Sequence, residues 1–149
     1  MLIDTEPRRT NDPPVRPRLA IVLAAGLLIV VAFHAALTLG APFGSAAQGG
    51  TYPGQLPDAR RLVTGFGAVV WLSAALIVLA RGGRPLVPLP AAVVRAGTWV
   101  VVSLLGFGTL LNFASSSPWE RFGWGPFTLI MFGLCLVLAL SGSPKRPVK

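Results

Sequence analysis

Four stretches of the chain, Leu19–Leu39, Leu62–Ala80, Ala96–Ala114 and Phe122–Leu140, contain no Asp, Glu, Lys or Arg. Each holds 19 to 21 residues, and about 20 helical residues cross the hydrocarbon core of a bilayer. A soluble domain of 149 residues could not bury four such segments. The pattern therefore predicts an all-α fold, a four-pass antiparallel transmembrane helix bundle. Its helices fall at about 19–40, 60–80, 91–113 and 118–141. Residues 1–18 read as a disordered basic cytoplasmic tail, 19–142 as the transmembrane domain and 143–149 as a second basic cytoplasmic tail.

The punctuation between the apolar runs supports these limits. Pro7, Pro13, Pro14 and Pro17, with Asn11 and Asp12, cannot build a core and favour extended chain. Gly40 and Pro42 stop helix 1. Ala41–Ala59, rich in Gly, Pro and Gln, is the longest connection, and Asp58 is placed to cap helix 2. Arg81-Gly82-Gly83-Arg84-Pro85 ends helix 2, and the three prolines of Pro85–Pro90 make an extended connector. Ser117-Pro118-Trp119-Glu120 fits a capping box with proline at the first helical position. Pro126 then removes a backbone hydrogen bond inside helix 4 and predicts a kink there. Gly65, Gly67, Gly106, Gly108, Gly123, Gly125 and Gly133 are expected points of close helix contact, because packing rather than hydrophobic burial joins helices in lipid. Trp99, Trp119 and Trp124 lie near expected interfaces, whereas Trp71 lies mid-span and reads as a packing residue.

Charge sets the orientation. The chain is 53% hydrophobic and 12% charged, about half the charged share of an average soluble domain. Its net charge is +8 and its sequence pI about 11.6. In a soluble protein that balance would point to nucleic acid. Here the basic residues flank apolar runs, so topology and anionic headgroups explain them, and no nucleic-acid partner is expected. Ten lysines and arginines (Arg8, Arg9, Arg16, Arg18, Arg81, Arg84, Arg95, Lys145, Arg146, Lys149) fall on one side of the predicted bundle. Three (Arg60, Arg61, Arg121) fall on the other. Both termini are thus expected in the cytoplasm and the protein in the cell membrane. The first apolar run exceeds the roughly 7–15 residues of a signal-peptide core, so a retained helix is expected. The single cysteine, Cys135, lies within the fourth run and reads as a small hydrophobe.

Residues able to do chemistry gather at the expected outer end. The candidates for ligand or partner binding are His34, Gln48, Arg60, Arg61, Asn112, Trp119, Glu120, Arg121 and Trp124. His34, the only histidine, lies within a span, where an ionisable group is a functional candidate. Its competing reading is a ring satisfied by Thr38 or a backbone carbonyl. Glu120 is expected to cap helix 4 or to pair with Arg60 or Arg61. A His34–Glu120 dyad would be the one route to acid–base chemistry. No Cys-x-x-Cys, G-x-S-x-G, P-loop or H-E-x-x-H occurs. No metal site or cofactor is expected. With the fourth span starting at Phe122, no Asp or Glu lies in any span, which argues against a small proton-coupled exporter.

One sequence block carries a resemblance. Asn112-x-x-Ser115-x-Ser117-x-Trp119-Glu120-Arg121, preceded by His34, Gly40-Ala41-Pro42-Phe43-Gly44, Gln48-Gly49-Gly50, Leu56-Pro57 and Arg60-Arg61 and followed by Trp124-Gly125-Pro126, is similar to a group of small bacterial four-helix integral membrane proteins of unknown function. The similarity spans roughly residues 19–140. It implies the fold and the membrane location and brings no activity.

The expected function is that of a non-enzymatic integral membrane protein whose outward-facing polar surface binds a lipid, small molecule or partner membrane protein. The alternative is a small transporter or channel subunit acting as a homo-oligomer. That alternative needs a polar path through the inner halves, where only Ser73, Thr98 and Ser103 are polar.

Overall fold

A computed structural model describes residues 16–142. Among these, four helices and no strand are present: α1 (Pro17–Thr38), α2 (Asp58–Arg81), α3 (Ala91–Ala114) and α4 (Gly125–Ala139), the last preceded by a π-helical turn, Glu120–Trp124. All four are long and apolar enough to cross a membrane, the fourth counted as Glu120–Ala139. The tails at 1–15 and 143–149 lie outside the described residues.

Helix ends follow local chemistry. Pro17 opens α1 at a position where its missing N–H costs nothing, which starts the helix two residues before the charge-free run. At the other end Gly40 takes φ +94°, a left-handed conformation that favours glycine. The Gly40 N–H donates to Leu37 O and the Ala41 N–H to Ala36 O, so α1 ends at Thr38 in a Schellman motif. Gly83, at φ +81°, ends α2 in the same way, with N–H bonds from Gly83 to Ala80 O and from Arg84 to Leu79 O. Asp58 does not cap α2. It is the first helical residue, after Pro57, and its carboxylate pairs with Arg61 Nη1 at 3.3 Å.

The start of the fourth span departs from a simple kink. Pro126 stands in the first turn of α4, after the π turn. Pro126 has no N–H to give the carbonyl four residues back, and its ring would press on that carbonyl. The wider turn, closed by the Gly125 N–H on Glu120 O, accommodates the proline.

Side-chain contacts order the four helices. Thr38 near the end of α1 meets Thr64 near the start of α2, while Gly82 after α2 abuts Ala20 at the start of α1. Gly125 packs under the Phe113 ring, and Gly106 under Phe132, joining α3 to α4. α1–α2 and α3–α4 are the extensive pairings, and α2–α3 contact is sparser. Near Arg81, α2 and α3 are close, with Ile77 against Gly97. Toward the 39–57 loop they separate, and an added Cβ at Gly108 would meet nothing within 4 Å.

The main core lies in the Arg81 half. Ala20, Leu23, Ala24 and Leu27 recur at helical spacing on α1 and meet Ala74, Ala75 and Val78 of α2, Val101, Val102 and Leu105 of α3, and Met131, Cys135 and Leu138 of α4. The alanines allow close approach of the helices. Arg81 itself is buried and its Nη2 donates to the carbonyls of Ala139, at 2.8 Å, and Ser141. These are orphan acceptors at the end of α4, so Arg81 serves as a C-terminal cap as well as a flanking charge.

Three of the expected contact glycines are not contacts. Gly108, Gly123 and Gly133 face open space, whereas Gly26 and Gly97 fill that role beside Met131 and Ile77.

Candidate functional site

The long loop folds over the bundle end. Two short 3-10 turns, Gly44–Ala46 and Gln48–Gly50, shape it. Ala47 and Leu56 bury themselves on Leu37, with Phe33 and Tyr52 alongside. Gln48, Gly49 and Gly50 have φ of +51°, +77° and +70°. The strain of about 1–2 kcal/mol expected for a non-glycine residue there falls on Gln48. This bend turns the Gly49 N–H toward the start of the fourth span.

There it meets Glu120. Both carboxylate oxygens lie 3.1 Å from Gly49 N and share that one N–H. Glu120 is 9% exposed. The capping box is half formed: Ser117 Oγ accepts from the Glu120 N–H at 3.3 Å, but Ser115 Oγ, not Glu120, receives the Ser117 N–H. Ser117 Oγ also donates to Ser45 O at 2.7 Å, and Ser116 Oγ donates to Gly49 O at 3.2 Å. The loop is thus stitched to the α4 entrance by three bonds.

Beneath this cover lies a cavity of about 530 Å³ between the four helices. Five sequence candidates line it: His34, Gln48, Asn112, Glu120 and Trp124. Apolar walls come mainly from Val30, Phe33, Leu37, Val70, Trp71 and Leu105. Val63, Phe66 and Leu104 line it as well, yet they are exposed on the apolar flank, at 60%, 72% and 38%. The cavity therefore opens sideways between α2 and α3, where the helices diverge.

The remaining four candidates lie elsewhere. Arg60 is exposed, and its backbone carbonyl accepts from Gln48 Nε2 at 3.5 Å. Arg61 caps α1 instead, its Nε donating to Thr38 O at 2.9 Å. Neither arginine pairs with Glu120: among the described residues the Arg61–Asp58 contact is the ion pair formed. Arg121 is exposed. Trp119 lines a separate groove of about 710 Å³ with Ile29, Phe43 and Phe127. Phe33 and Trp124 border both spaces, their ring centroids 4.7 Å apart, and form the wall between them.

Several polar groups around the cavity keep unused acceptor capacity. His34 Nδ1–H donates to Val30 O at 2.9 Å, which leaves Nε2 as a lone-pair nitrogen. Thr38 Oγ1 donates to the His34 carbonyl rather than to its ring. Gln48 Oε1 is buried with no hydrogen-bond partner. Asn112 Nδ2 is used on Thr128 Oγ1 at 3.3 Å, and Thr64 Oγ1 donates to Arg61 O at 2.7 Å. His34 and Glu120 share this space without a hydrogen bond between them. Among the described residues no arginine or lysine lines it.

The helix that carries the fourth charge-free run begins at Glu120, two residues before Phe122 and inside the predicted helix at about 118–141, and Glu120 lines the space between the helices. The π turn that shifts the entrance has no sequence signal beyond Pro126. Compared with protein families, curated proteins and solved structures, the chain matches none.

Proposed function

We propose that this chain is a four-pass protein of the cell membrane, of antiparallel helices with both termini cytoplasmic, that binds an amphiphilic small molecule or lipid in the cavity under the 39–57 loop. The reading extends the resemblance to small four-helix membrane proteins, whose outer polar segments coincide with the cavity roof. One observation carries it: a void of about 530 Å³ joins apolar walls to a polar cluster at one end. That is the usual make-up of a small-molecule site, and the volume falls in the usual range of about 300–1,000 Å³. The function is recognition rather than catalysis, because His34 and Glu120 each spend their visible bonds on backbone groups.

A transporter would need the cavity to continue toward Arg81. Leu27, Ala74, Val101, Met131 and Cys135 fill that region, which favours a pocket closed at that end over a path through the bundle. A homo-oligomer or a partner membrane protein remains part of the proposal for the exposed apolar flanks.

Gly108 supplies the test. It lines the cavity and has room for a side chain, and leucine improves helix propensity by about 1 kcal/mol. Trp71 and Trp124 line the same space, so a brominated alcohol that enters it quenches their fluorescence. In phosphatidylcholine nanodiscs, bromo-octanol quenches the wild-type protein saturably, and Gly108→Leu removes the saturable component. Unchanged saturable quenching in Gly108→Leu overturns the assignment.

A further inference from the structure

The cavity has an unusual balance of hydrogen-bonding groups, and from it we infer the chemical class of the ligand: an amphiphile carrying an ammonium head. The inference rests on the cavity reading above.

The argument is one of complementarity. Two acceptors are left over: the Glu120 carboxylate, whose two oxygens divide a single N–H, and the His34 Nε2 lone pair. Of the side-chain donors at the same site, the Thr64 and Thr128 hydroxyls and one Asn112 N–H are given to protein oxygens, and the indole N–H groups of Trp71 and Trp124 are neutral and bring no charge to balance the carboxylate. An ammonium is the converse group, with three N–H donors, no acceptor and a positive charge. It satisfies the leftover acceptors and neutralises a carboxylate that is 91% withdrawn from solvent. Four aromatic rings, those of Phe33, Phe66, Trp71 and Trp124, line the space, and ring faces attract cations.

The same inventory disfavours an anionic head. The chain is strongly basic overall, at +8, yet among the described residues no arginine or lysine lines this cavity. A phosphate or carboxylate placed beside Glu120 would meet like charge and, among the described residues, no cationic donor. The apolar body of the ligand points along Val63, Phe66 and Leu104 toward the flank. The ammonium has two natural sources, a free hydrophobic amine or the ethanolamine headgroup of a phospholipid.

Three probes of one chain length decide the matter in phosphatidylcholine nanodiscs at neutral pH: bromo-octylamine, bromo-octanol and bromo-octanoate. The wild-type protein binds the amine about tenfold more tightly than the alcohol, the gain of a charge-assisted hydrogen bond, and the carboxylate most weakly. Glu120→Gln, whose amide oxygen still accepts from Gly49, brings the amine and alcohol to similar affinity. Should that variant fail to fold, the wild-type ranking of the three probes decides alone. Alcohol or carboxylate bound as tightly as the amine overturns the ammonium assignment and leaves the cavity reading standing. No saturable quenching by any probe removes both. With the amine preference established, competition by phosphatidylethanolamine in the disc assigns the source to a lipid headgroup. Amine binding indifferent to that lipid assigns it to a free amine.

Discussion

The Glu120 carboxylate holds the backbone N–H of Gly49 at 3.1 Å, although 71 residues separate the two in sequence. The contact fixes the roof of the cavity to the entrance of the fourth span. It also fixes which way Glu120 faces. A carboxylate at this position on a regular α-turn would have been read as a cap for its own helix. The π turn and the left-handed Gln48–Gly50 bend bring it to the loop instead.

Ser117 is the hinge pin of that arrangement, since its hydroxyl accepts from the Glu120 N–H and donates to Ser45 O. Ser117→Ala loses a helix cap and a loop tether together. The expected cost is about 1–2 kcal/mol. Unfolding in a denaturing detergent series, followed by circular dichroism, reads it; a stability equal to wild type contradicts the dual role.

Two glycine substitutions should separate packing from lipid exposure. At Gly67 an added Cβ would stand 2.6 Å from His34 Cδ2, whereas at Gly133 it would meet nothing within 4 Å. Gly67→Ala is expected to destabilise by about 1–3 kcal/mol through overpacking. Gly133→Ala is expected to be neutral or to stabilise by up to about 1 kcal/mol, because alanine loses less backbone entropy in a helix. The same detergent series compares them, and equal effects would contradict the packing.

The proposed topology has a direct test. Cys135 is buried, so the native thiol contributes no background to labelling. Ser116→Cys, on the exposed approach to the fourth span, should react with an impermeant maleimide on intact cells. Leu86→Cys, in the exposed connector between α2 and α3, should react only after permeabilisation. The opposite pattern inverts the orientation.

The spans were legible because a charge in hydrocarbon is costly, so the absence of Asp, Glu, Lys and Arg marks them whatever surrounds them. The stop at Gly40 was legible for the same kind of reason, since a local backbone need dictates a residue type. The facing of each helix was not legible. In water an apolar stripe faces the core, but in lipid both faces of a span are apolar, so Gly108 and Gly106 look alike in sequence. One lines the cavity and the other supports Phe132. The make-up of the candidate site was legible in part. His34, Gln48, Asn112, Glu120 and Trp124 converge as their clustering at one end suggested. Arg60, Arg61, Trp119 and Arg121 lie at the same end but do not line the cavity, and Arg61 is drawn off by the Thr38 carbonyl and Asp58, partners that its place in the sequence does not reveal. Trp71 reads from sequence as a packing residue, Phe33 and Phe66 carry no sequence signal of a site, and nothing in their spacing distinguishes a cavity wall from a core.

The flank at Val63, Phe66 and Leu104 has a consequence for how occupancy responds to conditions. With the chain placed in a bilayer as proposed, a guest arriving through that gap would come out of hydrocarbon, so its effective concentration would be its mole fraction in the bilayer. Diluting a vesicle suspension with buffer barely changes that fraction for a strongly partitioning compound. Adding empty vesicles lowers it, and occupancy falls with the lipid ratio rather than with the aqueous volume.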